Sequence, residues 1–434
     1  MKIVLINHYA GSPKYGMEYR PYYLAREWVR LGHDVTIVAS SRSHVRRENV
    51  ELGRGVKIEM IDGIRYCWFR TPNYQGNGIR RALNMLVFLL QLFLHRRMLA
   101  SFAEQGAVVA SSTYPFDVMA GKSIAKKANA SLTYEVHDLW PLSPIELGSM
   151  SPKHPFIRIV QWAEDFAYRN ADLVVSILPL AEEYMLKHGL APGKFRHVPN
   201  GIDLDEWTNT AALPLCHQTA LDALREQGRF ILGYAGSHGI ANSLETVLRT
   251  AELLKQHPIT FVLVGHGPEK ERLEHLSRSL QLDNVLFLPP VPKFAIPTLL
   301  DQMDCLLITL RSTWIFRLGI SPNKLMDYMM SGRPIIQAID AGNDMVADSG
   351  CGISVSADSP VALADAVLKM AATSLREREE MGRKGKDYVR QNHDYRVLAR
   401  QFLRFISPQS PAEQEVGPIP PRGREGRYCP SESI

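Results

Sequence analysis

The chain has 434 residues, of which 45% are hydrophobic and 22% are charged, and its formal net charge is +5. This length exceeds one ordinary domain and the composition is typical of a soluble globular protein, so we expect two domains. The five cysteines are scattered and contain no C-x-x-C pair, which argues against both a disulfide framework and a zinc site.

Short apolar strands alternate with amphipathic helices along most of the chain. The pattern begins at "KIVLI", continues with the helix "RPYYLAREWVRLG" and the strand "DVTIVAS", and starts again at "FILGYAGS". Strands separated by helices of about 10–15 residues are typical of βαβ units with a parallel sheet. We therefore predict an α/β fold of two doubly wound, Rossmann-like domains with a cleft between them. Ligands are expected beyond the carboxyl ends of the strands.

Four segments follow from this pattern. We predict an N-terminal domain at residues 1–205, a C-terminal domain at 206–390 and an amphipathic helix at 391–407. The remaining segment, 408–434, is rich in Pro, Gly, Ser and charged residues. Because such a segment cannot bury enough apolar surface to order itself, we predict a disordered tail.

The loop "NHYAGSPKYGMEY" follows the first predicted strand and contains Gly16, Met17 and Glu18. The apolar run before it is too short for the hydrophobic region of a signal peptide, so we predict a buried strand there. Residues 1–150 hold 19 lysines and arginines against 12 acidic residues. This surplus predicts an anionic partner. The chain has no nucleic-acid-binding motif, so we expect no nucleic acid and favour a membrane surface or a lipid phosphate.

The segment "RRALNMLVFLLQLFLHRR", residues 80–97, holds a mostly apolar run between two arginine pairs, Arg80-Arg81 and Arg96-Arg97. As a helix the run would extend about 18 Å, which is shorter than the ~20 residues of a bilayer-spanning helix. It is either a buried core helix or an interfacial helix whose basic ends favour anionic lipid. The arginines favour the second interpretation, which predicts a cytoplasmic protein on the inner face of the cytoplasmic membrane.

Small and polar residues follow several predicted strands. "YEVHDLWP" places His137 and Asp138 at a strand end that would face the cleft, although such a histidine is often satisfied by local backbone. Two later turns, "GYAGSHG" and "VGHGPEK", would allow close backbone approach to an anion at a helix start, although glycine is also common there for packing. Neither turn is a dinucleotide or Walker motif, which disfavours a dehydrogenase or an NTPase. The candidate contacts in these turns are Gly236, Ser237, His238, Gly265 and Gly267.

The segment "SPNKLMDYMMSGRPII" predicts a helix with Ser321 as its N-cap and Lys324 in its first turn. A cation costs about 0.3–1 kcal/mol at this end of a helix, and Arg317 precedes Lys324 by seven residues. A diphosphate would neutralise both cations, and Asp327, one turn further on, could accept hydrogen bonds from sugar hydroxyls. The alternative is that Lys324 simply pairs with Asp327, a contact worth little when exposed.

With these motifs the sequence resembles the retaining GT-B glycosyltransferases of family 4 over nearly the whole chain, to about residue 407. The resemblance rests on "PNGID", on "VGHGPEKERLEHLSRSLQLDNVLFLPPVP" and on "PNKLMDYMMSGRPII". The last stretch is similar to the family pattern P-x-K-x-x-E-[AY]-M-x-x-G-x-P-[IV]-[IV]. "EVHDLWP" and "FRLGISPNK" resemble the branch that builds bacterial surface polysaccharides such as O-antigen and capsule.

The resemblance implies roles for single residues. Asp327 stands where the family has a glutamate that holds the nucleotide ribose, and Lys324 resembles a diphosphate-binding lysine. His137 stands where many members have a histidine that touches the transferred sugar. The loop with Gly16, Met17 and Glu18 resembles the glycine loop between donor and acceptor, to which we add Asp138. The predicted donor site is completed by Asn323, Val291, Gly319 and Ile320.

Two departures from the family pattern affect this donor site. The family's first glutamate, eight residues before the second, is replaced by Gly319, so we expect the backbone amides of Gly319 and Ile320 to serve instead. The usual Arg and Lys after the first strand of the second domain are also missing. We expect Arg317 and Lys324 to take over their electrostatic task.

These features together predict a retaining hexosyl- or N-acetylhexosaminyltransferase. It would move a sugar from a nucleotide diphosphate sugar, UDP-linked, to a lipid-linked saccharide acceptor in bacterial surface polysaccharide synthesis. Arg317, Lys324 and His137 are its predicted catalytic residues. No cofactor and no metal are expected, since the cations and helix amides offset the donor's charge. The alternatives are a sugar-nucleotide epimerase of the same fold and a non-catalytic sugar-nucleotide-binding partner subunit, for which the gap at Gly319 would be a reason.

Overall fold

The computed structural model of the chain describes residues 1–16, 19–53, 55–76 and 78–407. The candidate residues Met17 and Glu18 and the tail predicted at 408–434 lie outside this part of the chain. Within it, two sheets with helices on both faces form two Rossmann-like α/β domains, which confirms the predicted fold class. The predicted domain bounds at residues 205 and 390 stay predictions.

The first sheet has eight strands in the order β3-β4-β2-β1-β5-β6-β7-β8, and only β3 runs antiparallel, in a hairpin with β4 that the sequence patterns did not predict. The strands are β1 (Lys2–Ile6), β2 (Asp34–Ser40), β3 (Val56–Ile61), β4 (Ile64–Phe69), β5 (Ala107–Ala110), β6 (Ser131–Val136), β7 (Leu173–Ser176) and β8 (Phe195–His197). The helices are α1 (Tyr19–Arg30), α2 (Ile79–Leu94), α3 (Arg96–Phe102), α4 (Asp117–Ala128), α5 (Leu142–Glu146), α6 (Pro155–Asn170) and α7 (Glu182–Lys187).

The second sheet is wholly parallel and has six strands in the order β11-β10-β9-β12-β13-β14. The strands are β9 (Phe230–Ala235), β10 (Ile259–Val264), β11 (Val285–Leu288), β12 (Cys305–Thr309), β13 (Ile335–Ala338) and β14 (Gly352–Val355). The helices are α8 (Leu215–Glu226), α9 (Leu244–Leu253), α10 (Lys270–Ser279), α11 (Ile296–Asp301), α12 (Asn323–Ser331), α13 (Met345–Ser349), α14 (Pro360–Ala372), α15 (Leu375–Asn392) and α16 (Tyr395–Ile406).

The inner strands of each sheet are buried on both faces because helices cover the sheets from two sides, whereas the edge strand β3 exposes Ile58 and Met60. In β1, Val4 and Ile6 join one hydrophobic core while Ile3 and Leu5 join the core on the other face. Successive side chains of a strand point to opposite faces, so a strand between two helical layers must be apolar throughout. This explains why the strands read as continuous apolar runs in the sequence.

Strands β9 and β10 end at the same edge of the second sheet. They are parallel neighbours, and Ala235, the last residue of β9, is paired with Val264, the last residue of β10. The two glycine-containing turns that follow these strands are therefore neighbours in space. The carboxyl edge of this sheet is where the candidate donor residues gather.

The apolar run at residues 80–97 forms two helices, α2 and α3, which are separated at His95. No single helix in the described residues is long and apolar enough to cross a membrane, whereas α2 and α3 together, bent by 70°, have the required length and composition. Only one face of α2 is buried, through Asn84, Phe88 and Leu92. One face of α2 therefore packs in the core, as a buried core helix would, and the opposite face does not.

The last described helix, α16, returns to the first domain. The indole of Trp28 in α1 donates a hydrogen bond of 3.0 Å to the carbonyl of Ala399 and packs edge-on against Phe402, with ring centroids 5.3 Å apart. Both rings are fully buried in the same core as β1 and β2. The chain thus crosses to the second domain and comes back, so α1 and the last described helix share one core.

We expect Phe402→Ala to destabilise the first domain by about 3–5 kcal/mol, because it removes a buried aromatic ring from a closed core. The measurement is the urea midpoint of the unfolding transition, followed by tryptophan fluorescence. Arg404→Ala on the exposed face of α16 is the matched control and should change the midpoint little. Equal effects of the two substitutions would show that α16 does not hold the first domain together.

Candidate active site

Lys324 lies partly buried in the first turn of α12, below the end of β9. Its Nζ donates hydrogen bonds to the Tyr234 hydroxyl at 2.8 Å and to Asn242 Oδ1 at 2.5 Å, and it lies 4.6 Å from the centre of the Tyr234 ring. A Cβ atom added to Gly236 would come within 3.2 Å of the same Nζ. The glycine thus keeps the space above the ammonium group open to the carboxyl edge of the sheet.

The ammonium group of Lys324 has neutral neighbours only. In the described part of the chain it forms no ion pair, so the simple pairing with Asp327 is not formed. Burial lowers the pKa of Lys324 to about 8, because a cation removed from water has lost hydration that no carboxylate replaces. An anion above Gly236 would restore the balance of charge. The structure therefore holds a cation ready for a negatively charged ligand.

The start of α12 differs from the prediction. The helix begins at Asn323, which is exposed, and Pro322 occupies the N-cap position. Ser321 does not cap the helix: its Oγ accepts a hydrogen bond from the amide of Asn200 at 2.8 Å, and its carbonyl accepts one from Asn200 Nδ2 at 2.6 Å. Asn200 belongs to the motif "PNGID", so this motif joins the link between the domains to the start of α12.

The two glycine-containing turns pack directly on each other. A Cβ at Gly265 would lie 1.9 Å from the carbonyl oxygen of Gly236, and a Cβ at Gly267 would lie 2.5 Å from that of His238. Packing alone thus requires Gly265 and Gly267, and their contact with a ligand stays a prediction. The carbonyl of Ser237 accepts hydrogen bonds from the Tyr234 hydroxyl and Asn242 Nδ2.

His238 is fully buried between these turns, and neither nitrogen of its ring has a hydrogen-bond partner in the part of the chain that the structure describes. Burial lowers its pKa to about 4, helped by the nearby charge of Lys270, so the imidazole is neutral at physiological pH. It therefore adds no charge to the site of Lys324.

The carboxyl group of Asp327 lies one helical turn beyond Lys324 and accepts no hydrogen bond from the described residues. Burial raises its pKa to about 7; the charge of Lys293 opposes this rise and that of Glu206 adds to it. Lys293 and Glu206 form an ion pair of 2.6 Å, and both contact the hydroxyl of Tyr23 in α1. Asp327 thus offers two acceptor oxygens beside a contact that joins the two domains.

The amides of Gly319 and Ile320 donate hydrogen bonds inside the protein, and their role toward the donor stays a prediction. The Gly319 amide donates to the Phe316 carbonyl at 2.9 Å, and the Ile320 amide donates to Asn343 Oδ1 at 2.7 Å. Both amides are therefore already used within the protein. Gly319 has a φ of +104°, and a Cβ there would lie 2.4 Å from Cδ of Pro179 in the first domain. A side chain, such as the family's glutamate, does not fit at this position.

Two further predicted residues lie around this edge. Arg317 is exposed on a short 3-10 helix, Trp314–Leu318, and its guanidinium has no hydrogen bond or ion pair within the described ranges. Val291 is half-buried in the loop after β11, against the core of the second domain. Neither side chain contacts Lys324 in this structure, so their roles in donor binding stay predictions.

His137 follows β6 in the first domain and is held by side chains. Its Nε2 lies 2.9 Å from Ser111 Oγ and 3.5 Å from Glu135 Oε2. The Ser111 hydroxyl donates its single proton to Glu135 at 2.6 Å, so it can only accept from His137, and Nε2 carries a proton. Side chains therefore hold Nε2 of this histidine. Asp138, the next residue, is exposed.

Glu135 is fully buried below His137 and pairs with Arg20 at 2.9 Å. Burial by itself would raise the pKa of Glu135, but Arg20, His137 and the Ser111 hydrogen bond together hold it at about 2. This buried carboxylate fixes the orientation of the imidazole at the carboxyl edge of the first sheet. Gly16, at the same end of the domain, has a φ of +78° and closes its loop through a 2.7 Å hydrogen bond to the Ser12 carbonyl.

Comparison with known families matches both halves of the chain. Residues 15–201 match the family described as "Glycosyl transferase 4-like domain", and residues 229–373 match "Glycosyl transferases group 1". Between them these two families account for more than half of the chain. The order of the two domains along the chain is the order of the two sheets.

Individual proteins support the same assignment. The chain is 24% identical over 396 residues to a protein of Escherichia coli K12 named as the colanic acid biosynthesis glycosyl transferase WcaI, with 88% of this chain and 93% of that protein covered. The structure of Anabaena HepE in complex with UDP-glucose covers 93% of this chain and 98% of its own, with a TM-score of 0.62 and 14% identity. WaaG, a glycosyltransferase of lipopolysaccharide biosynthesis, covers 93% and 99%, with a TM-score of 0.65 and 15% identity. The fold is thus that of GT-B glycosyltransferases.

The lowered pKa of Lys324 predicts a pH dependence of stability. An unfolded lysine has a pKa near 10.4, so between pH of about 8 and 10 the unfolded chain binds more protons than the folded chain. The free energy of unfolding should therefore rise with pH in this range. Lys324→Met should flatten the rise, measured as urea midpoints at several pH values. Lys187→Met, at an exposed lysine of α7, is the control; parallel curves for both variants would contradict the prediction.

Proposed function

Because the chain carries a glycosyl transferase 4-like domain followed by a glycosyl transferases group 1 domain, we propose that it transfers a sugar from a UDP-linked donor to a lipid-linked saccharide acceptor, with retention of configuration. We place this reaction in the synthesis of a bacterial surface polysaccharide, which the named roles of WcaI and WaaG support. The observation that carries the proposal is the half-buried ammonium of Lys324 below Gly236, which has no anionic partner among the described residues.

The donor fits this edge of the second sheet by charge and by hydrogen-bonding capacity. A diphosphate above Gly236 would be neutralised by Lys324. The first amides of α12 form the positive end of the helix dipole and would also favour an anion there. The unpaired carboxyl of Asp327 would accept hydrogen bonds from the ribose hydroxyls. The complex of HepE with UDP-glucose, a protein of the same fold, supports a UDP-sugar as donor.

The proposed retention would proceed without a covalent sugar–enzyme intermediate. A covalent sugar–enzyme intermediate needs a carboxylate or a similar nucleophile at the reacting carbon, and Gly319 leaves no room for one at the position of the family's first glutamate. The leaving diphosphate can itself take the proton of the acceptor hydroxyl on the same face of the sugar. The enzyme then supplies position and positive charge, through Lys324 and through Arg317 on its exposed 3-10 helix.

His137 is the proposed contact to the transferred sugar from the first domain. It lies at the carboxyl edge of the first sheet, and α5, which follows it closely in the chain, packs against the 3-10 helix that carries Arg317. The protonated Nε2 is held by Ser111 and Glu135, so the ring keeps a constant orientation toward the substrate side. We therefore propose that the ring stands preorganised beside the transferred sugar.

We expect Lys324→Ala to lower kcat/KM for sugar transfer by about 10²–10³, the effect of removing one electrostatic stabiliser of developing charge. The assay measures UDP release from UDP-sugars with lipid-linked saccharides, and NMR of the product should show the donor's anomeric configuration. Lys187→Ala is the control and should keep wild-type activity. Turnover by Lys324→Ala at the wild-type rate, or an inverted product, would contradict the proposed mechanism.

The same assay separates the two alternative functions. An epimerase would change the sugar of the UDP-sugar in the absence of any acceptor. A non-catalytic partner subunit would bind the donor, seen as a thermal shift, and release no UDP with any acceptor. UDP release that depends on the acceptor would exclude both.

We also propose that the first domain attaches to the membrane through α2, in residues 80–97. Ile79 and Leu94, at its two ends, are 89% and 74% exposed. The exposed apolar stripe of α2 consists of Ile79, Leu83, Leu86, Leu90 and Leu94. These residues lie three or four positions apart, so they form one face of the helix. An apolar stripe with arginines at both ends suits the interface of an anionic bilayer.

Two neighbouring helices extend this surface. Helix α4 packs against α2 on one side and α6 on the other, and its exposed positions carry three lysines, Lys122, Lys126 and Lys127. On α6, Phe156, Ile159 and Trp162 are exposed. A row of lysines between two exposed apolar stripes matches a membrane of anionic lipid, whose headgroups attract cations and whose interior accepts apolar side chains. A lipid-linked acceptor could then be reached without leaving the bilayer.

Sedimentation with anionic liposomes tests this attachment. We expect the protein to sediment with them, and the variant Arg80→Glu with Arg97→Glu to lose about tenfold or more in affinity, since each basic residue near such a surface is worth about 1 kcal/mol. Leu86→Ser with Leu90→Ser should weaken binding as well. Leu215→Ser, at an exposed leucine of the second domain, is the control. A protein that ignores anionic liposomes at low salt would contradict the attachment.

A further inference from the structure

A cavity of about 400 Å³ lies at the carboxyl edge of the first sheet, away from Lys324 and Asp327. The loops after β2 and β4 form most of it, and Val87 of α2 closes one side. Its lining includes the side chains of Arg42, Arg70 and Thr71. A cavity of this size is within the range of small-molecule sites in proteins.

Not every polar group that lines this cavity has a buried ion-pair or hydrogen-bond partner among the described residues. Arg70 is exposed and forms no ion pair in the described ranges, while Arg42 pairs only with Glu51, whose side chain is 84% exposed. Thr71 is 6% exposed, and its hydroxyl oxygen has no hydrogen-bond partner among the described residues. A buried hydroxyl without a hydrogen-bond partner costs free energy.

A third arginine stands beside the cavity wall. Arg46 is 6% exposed, donates to the carbonyls of Ser40 and Ser41, and lies 5.1 Å from the centre of the Trp68 ring. No carboxylate pairs with it in the described part of the chain, and its Nε has no partner. Burial accordingly lowers the pKa of Arg46 to about 10. A buried guanidinium without a counter-charge is costly, and an anion nearby would offset that cost.

We propose that this cavity binds the phosphate or diphosphate group of the acceptor, with Arg70, Arg42 and Thr71 as its contacts. Guanidinium groups bind phosphate oxygens in a bidentate manner, and a hydroxyl completes such a site. The proposal rests on the proposed function, since it identifies which group of the acceptor the first domain holds. The cavity adjoins Val87, between Leu86 and Leu90 of the exposed stripe of α2, so a diphosphate on a lipid in the bilayer would reach it.

The test is calorimetric titration of the full chain with inorganic pyrophosphate in saturating UDP, which keeps pyrophosphate from the donor site. We expect binding that Arg70→Gln and Arg42→Gln each weaken about tenfold or more and that Thr71→Val also weakens. Arg47→Gln is the matched control, since Arg47 is 70% exposed in the same loop and forms an ion pair with Glu48. UDP affinity should be the same in all variants.

Absence of pyrophosphate binding, or equal affinity in Arg70→Gln and Arg47→Gln, would overturn this site while leaving the proposed function intact. Failure of the wild type to bind UDP, with Arg70-dependent pyrophosphate binding retained, would overturn the proposed function and not the site. A second titration compares a soluble prenyl diphosphate with a sugar 1-phosphate. Tighter binding of the prenyl diphosphate assigns the phosphate to a lipid, and tighter binding of the sugar 1-phosphate assigns it to a soluble sugar. Both results support the site.

Discussion

The ammonium group of Lys324 is the charge around which the second domain is arranged. This group is half-buried and contacts a tyrosine hydroxyl, an amide oxygen and an aromatic ring. No carboxylate contacts it in the described structure. This arrangement requires the parallel register of β9 and β10, the open space above Gly236, and the start of α12 at Asn323. A cation kept without a counter-ion reduces the stability of the ligand-free protein, and such a group is a candidate for a functional site.

The relation between the two domains depends on a few specific contacts. Asn200 binds Ser321 at the start of α12, and the amide of Leu180 donates to the Leu318 carbonyl at 3.0 Å. Close to these, Gly319 lies against Pro179, where only a glycine fits. The loop before α12 is thus shaped by the first domain as much as by its own sequence. At the position of the family's first glutamate, this chain has a glycine that packs against the first domain.

Charge is distributed differently in the two domains. In the first domain, a buried ion pair between Arg20 and Glu135 fixes the orientation of the His137 ring above it. Where an external anion is expected, as with Arg46 and Arg70, cations have no carboxylate partner among the described residues. The same distinction holds in the second domain, where Lys293 pairs with Glu206 while Lys324 pairs with no acid. Paired charges such as Arg20 with Glu135 hold the structure, while the unpaired Lys324 and Arg70 belong to proposed ligand sites.

The sequence by itself determined the fold class, because buried parallel strands must be apolar throughout and helices that cover them must be amphipathic. It also singled out Lys324 as a candidate, since a lysine in the first turn of a helix is unfavourable without a reason. Tertiary structure alone decided that Lys324 donates hydrogen bonds to Tyr234 and Asn242. It also decided that the amides of Gly319 and Ile320 are hydrogen-bonded within the protein, and that α16 packs against α1. These contacts join residues far apart in the chain, so no local spacing or composition encodes them. They follow from which strand ends meet at one edge and which loops of the two domains touch.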